Sequence, residues 1–397
     1  LATPGTLVIG TGRTFSVSGG LFQVPLGATV SGSGLLSLSN DTAAVTPDYS
    51  TGTTGLNLVN SVWLGSGILT NASGATLNLQ NSEIASQFSN QGTLVVTGTS
   101  VLSQPVGTTA SSVIRVVGNN SSGAATLHVS AFGGLVNRGA IDLTDTVSTY
   151  GATLVVDSGL TNLSGAKLEA LTGAGGSRTL TAGLIDSAGA TVTVARTLTL
   201  NPPTAGHVNY GTIQLTGGDL LVQFSSGRPG FGNFGLVDVG TNTMKVSGVT
   251  GPLGAFVNQS GGTLQGSGTF DAAGTSFISN GTVTVGGSPG ILKWVGPYTQ
   301  GPTPSEFNVE IGGSTANPGV DFDQFQGSDN VSLQGGTLNA KVLGTQPKGT
   351  YVIISLPAGK TFSGDFVTKN LPVNPLTGAA CTTAISAGQN QYEIVCP

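Results

Sequence analysis

The 397-residue sequence predicts an all-β chain folded as a β-solenoid with about 23 residues per coil. Three observations carry this expectation: a short segment that recurs along most of the chain, an apolar–polar alternation inside each copy, and a composition rich in glycine and poor in charge. The segment reads LTNASGATLNL from Leu69, FSNQGTLVV from Phe88, VGNNSSGAATLHV from Val117, LVNRGAIDL from Leu135 and LTNLSGAKLEA from Leu160. It continues as LIDSAGATVTV from Leu184, HVNYGTIQL from His207, FGNFGLVDV from Phe231, FVNQSGGTLQG from Phe256 and FISNGTVTV from Phe277. Successive starts are separated by 18 to 29 residues, a spacing that belongs to stacked or radial repeats.

Each copy explains why it needs a neighbour. After the turn glycine the residues alternate, so Ile141 and Leu143, Leu94 and Val96, and Ile213 and Leu215 fall on one face of a strand and are expected to point inward. One short strand cannot bury that face, but the same strand in the next coil, about 4.8 Å away, continues the apolar row. The position before the turn is filled by Asn71, Asn90, Asn119, Asn137, Asn162, Asp186, Asn209, Asn233 and Asn258. These read as turn chemistry, because a short polar side chain bonds nearby backbone and tolerates the left-handed region.

Composition narrows the class further. Glycine supplies 64 residues and charged residues only 8%, while hydrophobic residues reach 38% with positive mean hydropathy, so the chain is expected to fold. Glycine does not fall at every third position, which excludes collagen. No apolar run reaches the roughly 18 residues of a membrane helix. A sequence pI near 4.9 without a basic cluster opposes nucleic-acid binding.

In chain order, residues 1–68 read as irregular early coils, with the turn-rich stretch 40–55 as a loop projecting from the stack. Residues 69–285 are the regular repeats, so the solenoid is assigned to 1–285 and a C-terminal β region to 286–397. Cys381 and Cys396 flank two alternating runs around an Ala-Gly-Gln-Asn turn, the spacing of a hairpin disulfide; two free thiols are the alternative. A start at Leu1 without methionine, taken as a native end, reads as processed, and with the cysteines it points to an exported, extracellular or cell-surface protein.

Past residue 286 the pattern changes. The series GGSPGILKWVGPYTQ (286–300), FNVEIGG (307–313), VDFDQF (320–325), LQGGTLNAKV (333–342), GTYVIIS (349–355) and FSGDFVTKNLP (362–372) resembles the tail of bacterial autotransporter-like and related secreted β-helix proteins. The resemblance covers about 90 residues and implies a right-handed β-helix, surface-exposed or released, with adhesive, matrix or scaffold roles. No translocator barrel follows, and the paired cysteines depart from that tail, so the resemblance carries over neither secretion route nor anchoring.

Candidate chemistry is sparse. GGSPG at 286–290 matches a nucleophile elbow, but Pro289 after Ser288 has no amide hydrogen for an oxyanion, and a sharp strand-to-helix turn is required. GFGNFG at 230–235 matches a dinucleotide fingerprint but falls in repeat register with no helix pattern after it. His207 takes a position filled elsewhere by Leu or Phe and reads as packing. Asp142, Asp157, Glu169, Asp186, Asp219 and Asp238 are spread about one per coil, which marks solvent faces rather than a catalytic cluster. Asp321 and Asp323 have a spacing compatible with Ca²⁺ and equally with solvation. No catalytic, cofactor-binding or metal residue is therefore assigned. The expected function is that of a non-catalytic secreted structural protein, assembling head to tail into an extracellular filament, matrix or surface layer. A monomeric surface adhesin with glycans as partners, or a glycan-active β-helix hydrolase or lyase, are the alternatives.

Overall fold

The computed structural model describes residues 5–52, 54–202, 205–224, 230–248, 255–344 and 346–397, and every regular element among them is a β-strand. Leu1, on which the expectation of a processed end rests, lies outside the described residues. The chain packs as two compact units, 1–204 and 205–397, and in each the strands stack in parallel from coil to coil as a β-solenoid.

In the first unit a coil contributes three strands to three separate rows. One row is short and carries the repeat's Asn, as in Leu69–Asn71 and Phe88–Asn90; the next holds the alternating segment, as in Thr93–Thr97; the third follows a corner, as in Thr99–Leu102. Parallel register aligns Leu36, Leu56, Leu77, Leu94, Ile114, Ile141, Leu168 and Val192 into one continuous line, and all of them are fully buried. The period of two thus becomes an interior row that runs between coils, each side chain of which stabilises the fold by about 1.5–3 kcal/mol through burial.

The early coils differ from the sequence reading. Their register is even: it advances by 21 residues from Thr14 to Leu35, by 20 from Leu35 to Gly55 and by 21 from Leu56 to Leu77. Nor is 40–55 a projecting loop, because Leu35–Val45 is one strand with Asp41, Ala43 and Val45 buried, followed by the short strand Tyr49–Ser50. The turn formers there make a corner. Asn40, Asn60 and Asn81 adopt positive φ in successive coils, with Nδ2 of Asn60 donating to Asn40 Oδ1 at 3.2 Å and that of Asn81 to Asn60 Oδ1 at 3.3 Å. Gly98 continues the column at φ 63°, where a Cβ would lie 2.0 Å from Asn81 Oδ1, so only glycine fits.

The second unit repeats the plan with larger side chains. Ile213, Val237, Leu264, Val283, Phe307 and Leu338 align coil by coil, all buried. Beside them Phe277 lies 4.1 Å from Trp294 between ring centroids, and Trp294 packs edge-on to Tyr298 at 5.2 Å. The parallel ladder passes residue 286 without interruption, since Thr282–Val285 pairs with Glu306–Gly312 and the latter with Thr337–Leu343. The change of motif at 286 is therefore a change of side chains within continuing coils. The ladder turns antiparallel where Gln391–Cys396 inserts between Gly349–Ser355 and Thr382–Ile385.

Candidate functional site: a buried polar column, an uncovered strand edge and a stapled hairpin

The repeat asparagines are interior, not surface, groups. In the first unit Asn71, Asn90, Asn137, Asn162 and Asp186 are all fully buried in their short strands. Asn71 Nδ2 donates to Asn90 Oδ1, Asn137 Nδ2 to Asn162 Oδ1, and Asn162 Nδ2 to Asp186 Oδ1, each at 2.8 Å. Asn137 also donates to the Gly139 and Lys167 carbonyls and accepts from the Gly139 amide at 3.1 Å. The column satisfies the backbone where the chain turns from one row to the next, a corner that would otherwise bury unpaired polar groups. In the second unit Asn209, Asn233 and Asn258 form the same chain at 2.8 Å per link, and Asn258 Nδ2 donates to Ser279 Oγ at 3.0 Å. None of these column residues is in the left-handed region, which among the described asparagines is taken by Asn40, Asn60 and Asn81.

Asn119 does not belong to the column. Register places Thr108 opposite Asn90, and the Thr108 hydroxyl donates to the Val136 carbonyl at 2.7 Å. Asn119 instead caps a tight turn, its Oδ1 accepting the Ser121 and Ser122 amides at 2.9 Å, because NNSSG lies after a longer strand, Val113–Gly118. Thr51 and Ser279 are further members that the Asn pattern could not reveal; Thr51 Oγ1 donates to Asn71 Oδ1 at 2.9 Å. Asn71, Asn162 and Asn258, each in an Asn-x-Ser sequence of the kind that accepts an N-glycan, are sealed inside the folded chain.

Asp186 is the column's exception. Burial pushes its carboxyl up to about 7, against the opposing effect of the Asn162 hydrogen bond, and Oδ2 is buried without a hydrogen-bond partner among the described residues. Two of the spread acids thus lie inside rather than on solvent faces: Asp186, and Asp142, which pairs with Arg115 of the preceding coil at 2.8 Å. Asp145, also fully buried, pairs with Arg178; burial alone would raise its carboxyl, but the Gly176 and Gly175 amides and the guanidinium hold it below the usual range. His207 is buried between Phe224 and Phe231, and desolvation pushes its imidazole down to about 3, so it packs as a neutral ring.

The sequence motifs with catalytic or metal precedents are occupied structurally. A strand, Ile291–Val295, follows GGSPG, and GFGNFG holds the strand Phe231–Asn233 and the turn that leads into the strand Leu236–Asp238. Asp323 accepts the Gly290 and Glu310 amides at 2.7 Å each, whereas Asp321 accepts from Asn317 Nδ2 at 2.8 Å. Among the described residues no group of three or more His, Cys, Asp or Glu side chains is placed to hold a metal ion. Among them, too, no helix is long and apolar enough to cross a membrane.

Two strand edges stand out from this satisfied interior. Thr14–Val24 pairs with Leu35–Val45 along one side, and no strand covers its other side among the described residues. Phe15, Leu21 and the adjoining Leu26 are exposed there, Leu26 by 78%. Thr382–Ile385, by contrast, is held against Gln391–Cys396, and the Cys381–Cys396 disulfide closes the hairpin as the cysteine spacing predicts. No known protein family matches the chain, and no curated protein does so either.

Proposed function

We propose that this chain is a non-catalytic, secreted structural protein, a subunit of an extracellular filament, matrix or surface layer that assembles end to end. The observation that carries the reading is the uncovered edge of Thr14–Val24, eleven residues of parallel strand whose second set of backbone groups has no partner among the described residues. An edge of that length, bearing exposed Phe15 and Leu21, is a template for another strand. Thr382–Ile385, paired on one side only among the described residues, offers a recipient edge in a second copy. A heterologous contact of this kind propagates when its rotation does not close, which makes a filament rather than a ring. The disulfide suits an oxidising, extracellular compartment.

Sedimentation of the full chain over a concentration series tests the proposal. Wild type is expected to form assemblies that lengthen with concentration, and the Phe15→Lys, Leu21→Lys double variant to remain monomeric with an unchanged β-sheet spectrum. A wild type that stays monomeric at every concentration replaces this reading with that of a lone adhesin.

A further inference from the structure

Outside the edges, the second unit holds a cavity of about 530 Å³ whose polar lining includes Ser288, Asn308, Glu310, Asp323, Asn339 and Lys341. Its size falls within the roughly 300–1,000 Å³ of pockets that hold small molecules. The lining is built by register. Asn308 and Asn339 are paired on adjacent strands, with Asn339 Nδ2 donating to Asn308 Oδ1 at 2.8 Å. Two residues further on, hence on the same sheet face, Lys341 Nζ donates to Glu310 Oε1 at 2.7 Å. The turn 286–290 adds Ser288, which holds φ at 71°, a left-handed conformation that non-glycine residues adopt at a cost and that concentrates at ligand sites.

The electrostatics select the ligand class. Burial would raise the Glu310 carboxyl, but the Lys341 ammonium and the Ser288 hydroxyl outweigh it, so the site carries one compensated ion pair. Glu310 Oε2 is buried and receives no hydrogen bond of regular geometry, although Ser288 is close enough to favour its charge. Burial holds Asp323 up to about 7 despite two amide donors, which lowers the negative charge of the cavity further. A pocket near neutrality gives no preference to a phosphate or a metal cation. Among apolar and backbone walls from Val285, Val309 and the 286–287 glycines, it offers donors and acceptors of both senses; part of their capacity is used in the Asn370–Asn339–Asn308–Thr284 chain and the Glu310–Lys341 pair, and the remainder suits adjacent hydroxyl groups. Asp323, with both oxygens tied to backbone amides, supports the wall rather than serving as a proton donor to a ligand.

We propose that this cavity binds a neutral saccharide unit, its hydroxyls read by Asn308, Asn339, Ser288 and the Glu310–Lys341 pair. Saturation-transfer NMR on the full chain, with glucose, galactose, mannose, N-acetylglucosamine and their disaccharides each at about 10 mM, detects even the millimolar affinities expected of such a site. At least one neutral sugar should bind, with affinity reduced tenfold or more by Asn339→Leu and by Lys341→Met. The second variant replaces a mostly exposed side chain, so it reports on the site even where Asn339→Leu does not fold. Tyr210→Ala, which removes a ring of the exposed Tyr210–Phe234 stack elsewhere in the unit, should leave binding unchanged. Absence of binding across the panel, retention of full affinity in Lys341→Met, loss of binding in Tyr210→Ala, or tighter binding of glucosamine or glucuronate than of any neutral sugar would overturn the assignment.

Discussion

Thr14–Val24 and Gln391–Cys396 are strands of similar chemistry in opposite circumstances. The second lies between two antiparallel neighbours and alternates buried with half-buried residues, Tyr392, Ile394 and Cys396 facing inward. The first has one neighbour among the described residues, and eight of its eleven residues are exposed, Leu21 by 58%. A solenoid strand owes its burial to the coils on either side, so the same alternation yields core in one place and surface in the other. On the proposed reading, a second copy supplies the neighbour that this strand lacks among the described residues.

The comparison is sharpest in paired truncations. Ile394→Ala should destabilise the fold by about 2–5 kcal/mol, since it empties a fully buried site, whereas Leu21→Ala in isolated monomer should cost less than about 0.5 kcal/mol. Denaturant titration of both variants measures the contrast, and similar costs would mean that the first coil is covered in the free chain. Replacing Cys381 and Cys396 by Ser should cost about 3 kcal/mol for a loop of this length and loosen the hairpin, 382–396, before the repeats. Hydrogen exchange of the hairpin amides with and without reductant distinguishes local fraying from global loss.

Asp186 is a place where the interior resembles the open edge, with a polar atom that lacks a partner among the described residues. Its folded carboxyl titrates near 7 against an ordinary value of 3.8, so the folded state favours the neutral acid. That contribution to stability is complete below pH 3.8 and is lost as pH rises through 7. Asp186→Asn, always neutral, should therefore stabilise the protein by about 2 kcal/mol at pH 8. The advantage should shrink towards pH 4, and thermal melts across that range would show it; a pH-independent difference would assign the effect to shape rather than charge.

Much of the fold was legible because it depends on periodicity. Ile141, Leu143, Leu94, Val96, Ile213 and Leu215 are inward as their spacing from the turn glycine requires. The hairpin cysteines were legible because both partners lie within one short alternating segment. The column was half legible: the Asn positions stood out, but their burial did not, since a side chain that bonds its own turn and one that bonds the next coil leave the same local pattern. NNSSG at Asn119 imitated the repeat, while Thr108 in the true register carried no asparagine. The cavity left no pattern at all, because Ser288, Glu310 and Lys341 are assembled by register across coils of unequal length.

The uncovered edge is tested most directly by hydrogen exchange of the backbone amides of residues 14–24 in the full chain as its concentration is raised. Amides on the free side are expected to exchange freely in dilute solution and to gain at least tenfold protection as assemblies form, while those of residues 391–396 stay protected throughout. Protection of the whole 14–24 segment in dilute monomer, or no change in it when the chain assembles, would contradict the account.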